Sequence, residues 1–164
     1  MLVRLPGSSK FQLRTAEAAV QPEQPAGEPF KGFAVGQRVS LQRSFSAKNL
    51  ADYADLVGER CPVFSEPDMA RQVGFADTPV PGAMLGGLFS TLLGTRLPGA
   101  GTNYLKQRLE FPAPAYPDQE LTAEVEIVRI RPDKQLMNLA TRCVTASGLT
   151  VCEGEALVLI SDVS

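Results

Sequence analysis

VPGAMLGGLFSTLLG, residues Val80 to Gly94, decides how the rest of this chain is read. Apolar side chains recur at Met84, Leu85, Leu88, Phe89, Leu92 and Leu93, which is the period of a helix. Ser90 and Thr91 are its few polar positions, so the spacing predicts a helix buried on most of its circumference. Pro81 and Gly82 stand where that helix begins. Gly86 and Gly87 each lower helix propensity by roughly 1 kcal/mol against Ala. They make sense where something approaches closely, a neighbouring backbone or a ligand. Two readings follow: a packed core helix with glycines at a close contact, or a helix whose N-terminal amides bind a ligand oxygen. Either way, a buried helix needs a sheet to wrap it.

The totals narrow the function classes. A chain of 164 residues suits one domain with length to spare, and 44% hydrophobic residues are enough for a core. A net charge of −2 without a basic block makes nucleic acid and anionic membranes poor partners. No apolar run approaches the ~18 residues that a membrane span needs. Cys61, Cys143 and Cys152 are an odd set without metal-ligand spacing, which points to reduced thiols in a cytoplasmic protein. No metal or cofactor is expected. The chain contains no histidine. That absence removes the commonest general base and the commonest zinc ligand. A Ser-His-Asp or Cys-His device is therefore impossible within one chain.

Residues 1–29 read as a tail or linker, with PEQPAGEP (Pro22 to Pro29) typical of the composition. The opening MLVRLPGSSKFQLR is basic and free of acids until Glu17, which admits a transit peptide, a ragged terminus or a strand laid on a neighbour. Residues 30–164 form the expected folded domain. Phe33 to Phe45 alternates as a first strand. Ser46 is placed to cap a helix carrying Leu50, Tyr53, Ala54 and Val57, which Gly58 ends. Another helical turn or two fits Glu66 to Val73, with Glu66 and Asp68 as solvated helix-start charges. After the central helix come Asn103 to Phe111, Leu121 to Ile130, Leu136 to Ala146 and Leu149 to Ile160, the last two parted by the turn Ser147-Gly148. Pro112, Pro114 and Pro117 mark an edge or a bend. The expected class is α+β: one antiparallel sheet, its last four strands in a meander, wrapped around a long central helix.

Three stretches, in order, carry a family resemblance: VPGAMLGGLFSTLLG; Pro98-Gly99 with Tyr104-Leu105 and Leu109-Glu110-Phe111; and Leu121-Thr122-Ala123-Glu124-Val125 with Glu153-Gly154-Glu155-Ala156. From about Phe33 to Ile160 the chain resembles the MaoC-like (R)-specific enoyl-CoA hydratases and dehydratases. The resemblance implies a hotdog fold within 30–164 and a sheet paired edge to edge with a second subunit. It also implies an acyl-CoA or acyl-carrier-protein thioester as ligand, in fatty acid or polyketide metabolism.

The same resemblance locates a departure. The family's catalytic loop has Asp, any residue, Asn, Pro, any residue, His; here it reads Glu59-Arg60-Cys61-Pro62-Val63-Phe64. Glu59 stands at the Asp position and Phe64 at the His position, while Pro81 replaces the histidine before Gly82. By resemblance, Glu59 is the remaining candidate base and the Gly82 amide the oxyanion donor. Phe64, Pro81, Ala83, Met84 and Gly87 line the ligand site. Cys61 beside Arg60 reads either as an activated thiol or as a small buried loop cysteine. Ser90 is expected to satisfy its hydroxyl within the helix. Three functions follow: altered chemistry on an acyl thioester (dehydration, isomerisation, ring closure or hydrolysis), a non-catalytic subunit beside an active homologue, or a thioester-binding module. The partner is expected to be a second copy or a related hotdog chain.

Overall fold

The computed structural model describes residues 30–161. The tail, linker and transit-peptide readings of 1–29 lie outside the described residues.

Strand β1 (Arg38–Arg43) is followed by helix α1 (Ala47–Val57), a 3-10 turn at Pro62–Phe64 and the short helix α2 (Pro67–Gln72). The central helix α3 (Gly82–Thr95) comes next, then strands β2 (Thr102–Glu110), β3 (Leu121–Arg131), β4 (Leu136–Thr145) and β5 (Thr150–Ile160). The five strands form one sheet in the order β1-β3-β4-β5-β2, every pair antiparallel. The class is α+β, as the alternation predicts.

Two expectations about the strands need correction. The meander comprises β3, β4 and β5 alone, because β2 pairs with β5 at the far edge, Thr102 opposite Ile160 and Glu110 opposite Glu153. The proline-bearing segment 111–120 returns the chain to the other side of the sheet, so its prolines mark a bend, as expected, between two strands that do not pair. The first strand is also shorter than Phe33 to Phe45. Lys31, Gly32 and Gly36 have positive φ, which breaks the extended run, and Phe33 instead bridges back to Phe30.

The sheet sorts its residues by the two-residue period of a strand. Leu121, Ala123, Val125 and Ile127 of β3 are buried, as are Met137, Leu139, Thr141 and Cys143 of β4. Between them Thr122, Glu124, Glu126 and Arg142 face outward, with Arg38 paired to Glu126 at 3.1 Å. Onto the apolar face packs α3, through Leu85, Leu88, Phe89, Leu92 and Leu93.

The expectation that α3 is buried around most of its circumference is not met. Ala83, Gly87, Ser90, Thr91, Gly94 and Thr95 are exposed and form a continuous stripe of small and polar residues. The single sheet covers one side of the helix only; the wide apolar content of the sequence hides the stripe because its glycines and alanine count as neutral. Thr91 and Thr95 return their hydroxyls to Gly87 and Thr91 carbonyls at 3.1 and 2.6 Å. Ser90, expected to do the same, has no intramolecular partner among the described residues and faces solvent.

Ser46 caps α1 as its position predicts. Its hydroxyl accepts from the Asn49 N–H, and the Asn49 side chain accepts from the Ser46 N–H, a reciprocal box worth about 1 kcal/mol. Of the predicted apolar stripe, Leu50 is buried and Val57 is exposed.

Candidate functional site

The loop carrying Glu59 is fixed by its own backbone. Gly58 adopts the left-handed conformation (φ 72°) that closes α1, and the Gly58 and Glu59 N–H groups both donate to the Ala54 carbonyl. The Arg60 guanidinium donates to the Glu59 carbonyl at 2.8 Å and lies 3.8 Å from the Asp55 carboxylate. The Glu59 carboxylate folds back over the loop and accepts the Cys61 N–H at 2.8 Å. One carboxylate thus holds the backbone at the entry to Pro62–Phe64. Phe64 is half-buried at the end of that turn. Cys61 is exposed, which corrects the buried reading: the loop has no wall over it.

The second group of candidates sits at the head of α3. Val80 donates to the Ala115 carbonyl at 2.8 Å, and Ala76 donates to the Tyr116 hydroxyl at 2.9 Å. The segment entering the helix is thereby tied to the 111–120 crossing. Pro81, buried, is the N-cap and contributes no side-chain cap. Met84, half-buried against the core, donates to the Pro81 carbonyl at 2.9 Å. The Gly82 and Ala83 N–H groups have no acceptor among the described residues. No acidic side chain lies in the first turn, so the positive end of the helix dipole is not neutralised by its own residues.

The two central glycines part company. A Cβ at Gly86 would meet the Leu109 Cδ1 at 3.1 Å, the close approach that its presence predicts. At Gly87 the space is open within 4 Å. At Gly82 a Cβ would fall 2.7 Å from two ring carbons of Phe111. Phe111 is therefore a wall of this corner. Local pattern offers no way to pair it with Gly82, since 28 positions and a strand intervene.

Glu59 and Phe64 share one loop; Pro81, Gly82, Ala83, Met84 and Gly87 share the first turns of α3. No hydrogen bond or ion pair among the described residues joins the two groups. Chemically the arrangement offers one carboxylate, two free amides at a helix N-terminus and no imidazole. Elsewhere, on the helix-facing side of the sheet, the Tyr104 hydroxyl donates to Gln107, whose amide donates to Thr141 at 3.0 Å. Burial pushes the Tyr104 phenol up to about 12, so it stays protonated.

Residues 34–154 match the family model described as "FAS1-like, dehydratase domain region". The chain is 40% identical over 124 residues to the (R)-specific enoyl-CoA hydratase of Aeromonas caviae, covering 76% of this chain and 92% of that protein. This chain is a member of the MaoC-like family. The solved (R)-hydratase from A. caviae superposes with a TM-score of 0.76 at 38% identity, over 80% of this chain and 99% of that one. The mitochondrial 3-hydroxyacyl-[acyl-carrier-protein] dehydratase FERN of Solanum lycopersicum is 31% identical, over 77% of this MaoC-like chain and 76% of that protein. A chain of the ChsH1-ChsH2 complex from Mycobacterium tuberculosis shares the fold (TM-score 0.70, 16% identity, 78% and 98% covered). The fold of this MaoC-like protein is the hotdog that the resemblance implied.

Proposed function

We propose that this MaoC-like chain binds an acyl thioester, carried on coenzyme A or acyl-carrier protein, and that its hydratase or dehydratase chemistry is altered. The relatives named for hydration or dehydration of such thioesters support the ligand class. The observation that carries the alteration is the Glu59 carboxylate, bonded to its own loop at Cys61 beside Phe64 in a chain without histidine. Family-type hydration of a 2-enoyl thioester needs one group to take a proton from water and a second to orient it. Losing one proton-transfer group typically lowers a rate by ~10²–10⁴-fold. In this reading the Gly82 amide receives the thioester oxygen as an oxyanion donor. Ala83, Met84, Gly87, Pro81 and Phe64 form the walls, and residues 30–164 act as one domain in the cytoplasm.

The purified chain mixed with crotonyl-CoA tests the proposal. Acyl-CoA should bind, and hydration should fall far below ordinary turnover of roughly 1–10³ per second. If residual activity exists, Glu59→Gln should abolish it and leave affinity nearly unchanged. Hydration at ordinary rates by the chain alone would refute the altered chemistry.

A second reading, a non-catalytic subunit paired with a related hotdog chain, is favoured by the exposed α3 stripe and the open β2 edge. The ChsH1-ChsH2 complex provides a precedent for two such chains assembling. An active homologue co-purifying with this chain, and losing activity without it, would select this reading over the first.

A further inference from the structure

We propose that Cys143 and Cys152 are a peroxide-convertible pair, two thiols that oxidation joins into a cross-strand disulfide inside the folded sheet. In the antiparallel β4–β5 ladder Cys143 stands directly opposite Cys152. Opposed residues of such a ladder point to the same face. Here that face is the apolar one: both cysteines are wholly buried in the core, and both thiols are free. Opposed α-carbons in an antiparallel pair lie about 4.5–5.5 Å apart, inside the span of roughly 4.4–6.8 Å that a disulfide bridges. Burial first, and then the neighbouring Cys143, hold the Cys152 thiol protonated, which puts the two sulfurs within electrostatic reach of each other. The third thiol, Cys61, is exposed on the loop after α1.

The pair sits near the end of the β4–β5 hairpin. Regular register stops at Cys143, a bulge follows before Val144 pairs with Thr150, and the hairpin tip 146–149 is exposed. Fraying of such a tip needs far less free energy than global unfolding, and it admits a molecule as small as hydrogen peroxide. One sulfur, as thiolate, attacks the O–O bond, takes up an oxygen as sulfenic acid and releases hydroxide. The opposed sulfur then displaces hydroxide from that sulfenic acid and the S–S bond forms. Two thiols and one peroxide give one disulfide and two waters; the cysteines lose two electrons and the peroxide gains them. Because the resolving thiol is already opposite, the sulfenic acid is consumed before a second peroxide arrives. Since both thiols are held protonated, the conversion is slow compared with oxidation of Cys61.

The full chain carrying Cys61→Ser, which removes the exposed thiol and its intermolecular products, tests the proposal. Trypsin cuts after Arg142 and releases peptide 143–164, which holds both cysteines and no methionine. After hydrogen peroxide, quenching with catalase and unfolding in iodoacetamide, that peptide should carry no label and should have lost two hydrogens. Dithiothreitol before the label should restore both sites, and amide protection of β4 and β5 should persist in the oxidised chain. Adding Cys152→Ala should leave Cys143 without a resolving partner, so the peptide should gain oxygen instead. Two labelled cysteines after a dose that fully oxidises Cys61 in the wild type would overturn the proposal. So would added oxygen without loss of two hydrogens, a covalent dimer, or a disulfide that forms only with loss of β4–β5 protection.

Discussion

The ring of Phe111 lies over the α-carbon of Gly82, close enough that a Cβ there would come within 2.7 Å of its Cε1 and Cζ atoms. Gly82→Ala therefore forces the ring to move. The ring is half-exposed and can swing, and Ala gains up to ~1 kcal/mol of helix propensity over Gly. Stability should change by less than about 1 kcal/mol in thermal denaturation, while acyl-CoA affinity drops severalfold. A large loss of melting temperature would mean that the ring has nowhere to go.

Gly154 presents the opposite case. A Cβ there would sit 1.9 Å from the Arg108 carbonyl oxygen, a backbone atom held by the β2–β5 ladder, where Gly154 faces Leu109. Backbone cannot rotate aside as a ring does. Gly154→Ala should destabilise the chain by more than about 3 kcal/mol in urea unfolding, at the severe end for single substitutions. Loss of β2 amide protection in hydrogen exchange would localise the damage.

Truncating the helix tests the core. Leu88→Ala should cost roughly 2–5 kcal/mol and Phe89→Ala roughly 3–5, since Phe89 is fully buried and Leu88 nearly so. An unchanged unfolding midpoint for Phe89→Ala would remove α3 from the core.

Alkaline pH should destabilise the fold. Burial pushes the Cys143 thiol up to about 11 and the Cys152 thiol up to about 12, from an ordinary 9.0, and Tyr104 up to about 12 from 10.0. Above about pH 9 the unfolded chain releases these protons and the folded chain holds them, so stability falls as pH rises through that window. Stability contributed by these groups is fully present below pH 9 and is lost towards pH 11–12. Urea midpoints measured from pH 8 to 10.5 should decline. At pH 8 iodoacetamide should label exposed Cys61 in the native protein and all three cysteines only after unfolding.

Periodicity made most of the fold legible. The buried set of α3, the strands β3 to β5, the Ser46 cap and the Gly58 stop all follow from local pattern. What local pattern lacked was any term for pairing at a distance. Thr102 opposite Ile160 is a matter of global topology, which proximity in sequence does not convey. The exposed stripe of α3 is not legible in the pattern because Gly87, Gly94 and Ala83 carry too little side chain to announce which face they occupy. At the site, residue types alone marked the missing imidazole. The bond from Glu59 to Cys61 needed backbone geometry, and the meeting of Gly82 with Phe111 needed the crossing at 111–120.

The order of strands also has a consequence for synthesis. Both outer strands depend on partners far along the chain: β1 on β3, from Arg38 to Glu126, and β2 on β5, from Thr102 to Ile160. Contacts of such separation slow folding, because the loop must close before the pairing can reward it. On the ribosome, β2 emerges about fifty residues before β5. Throughout that interval α3 has shown its leucines with only part of a sheet to cover them. The nascent domain is consequently most exposed to mispairing just before β5 appears, and β5 is the strand that joins β2 to the rest of the sheet over the helix.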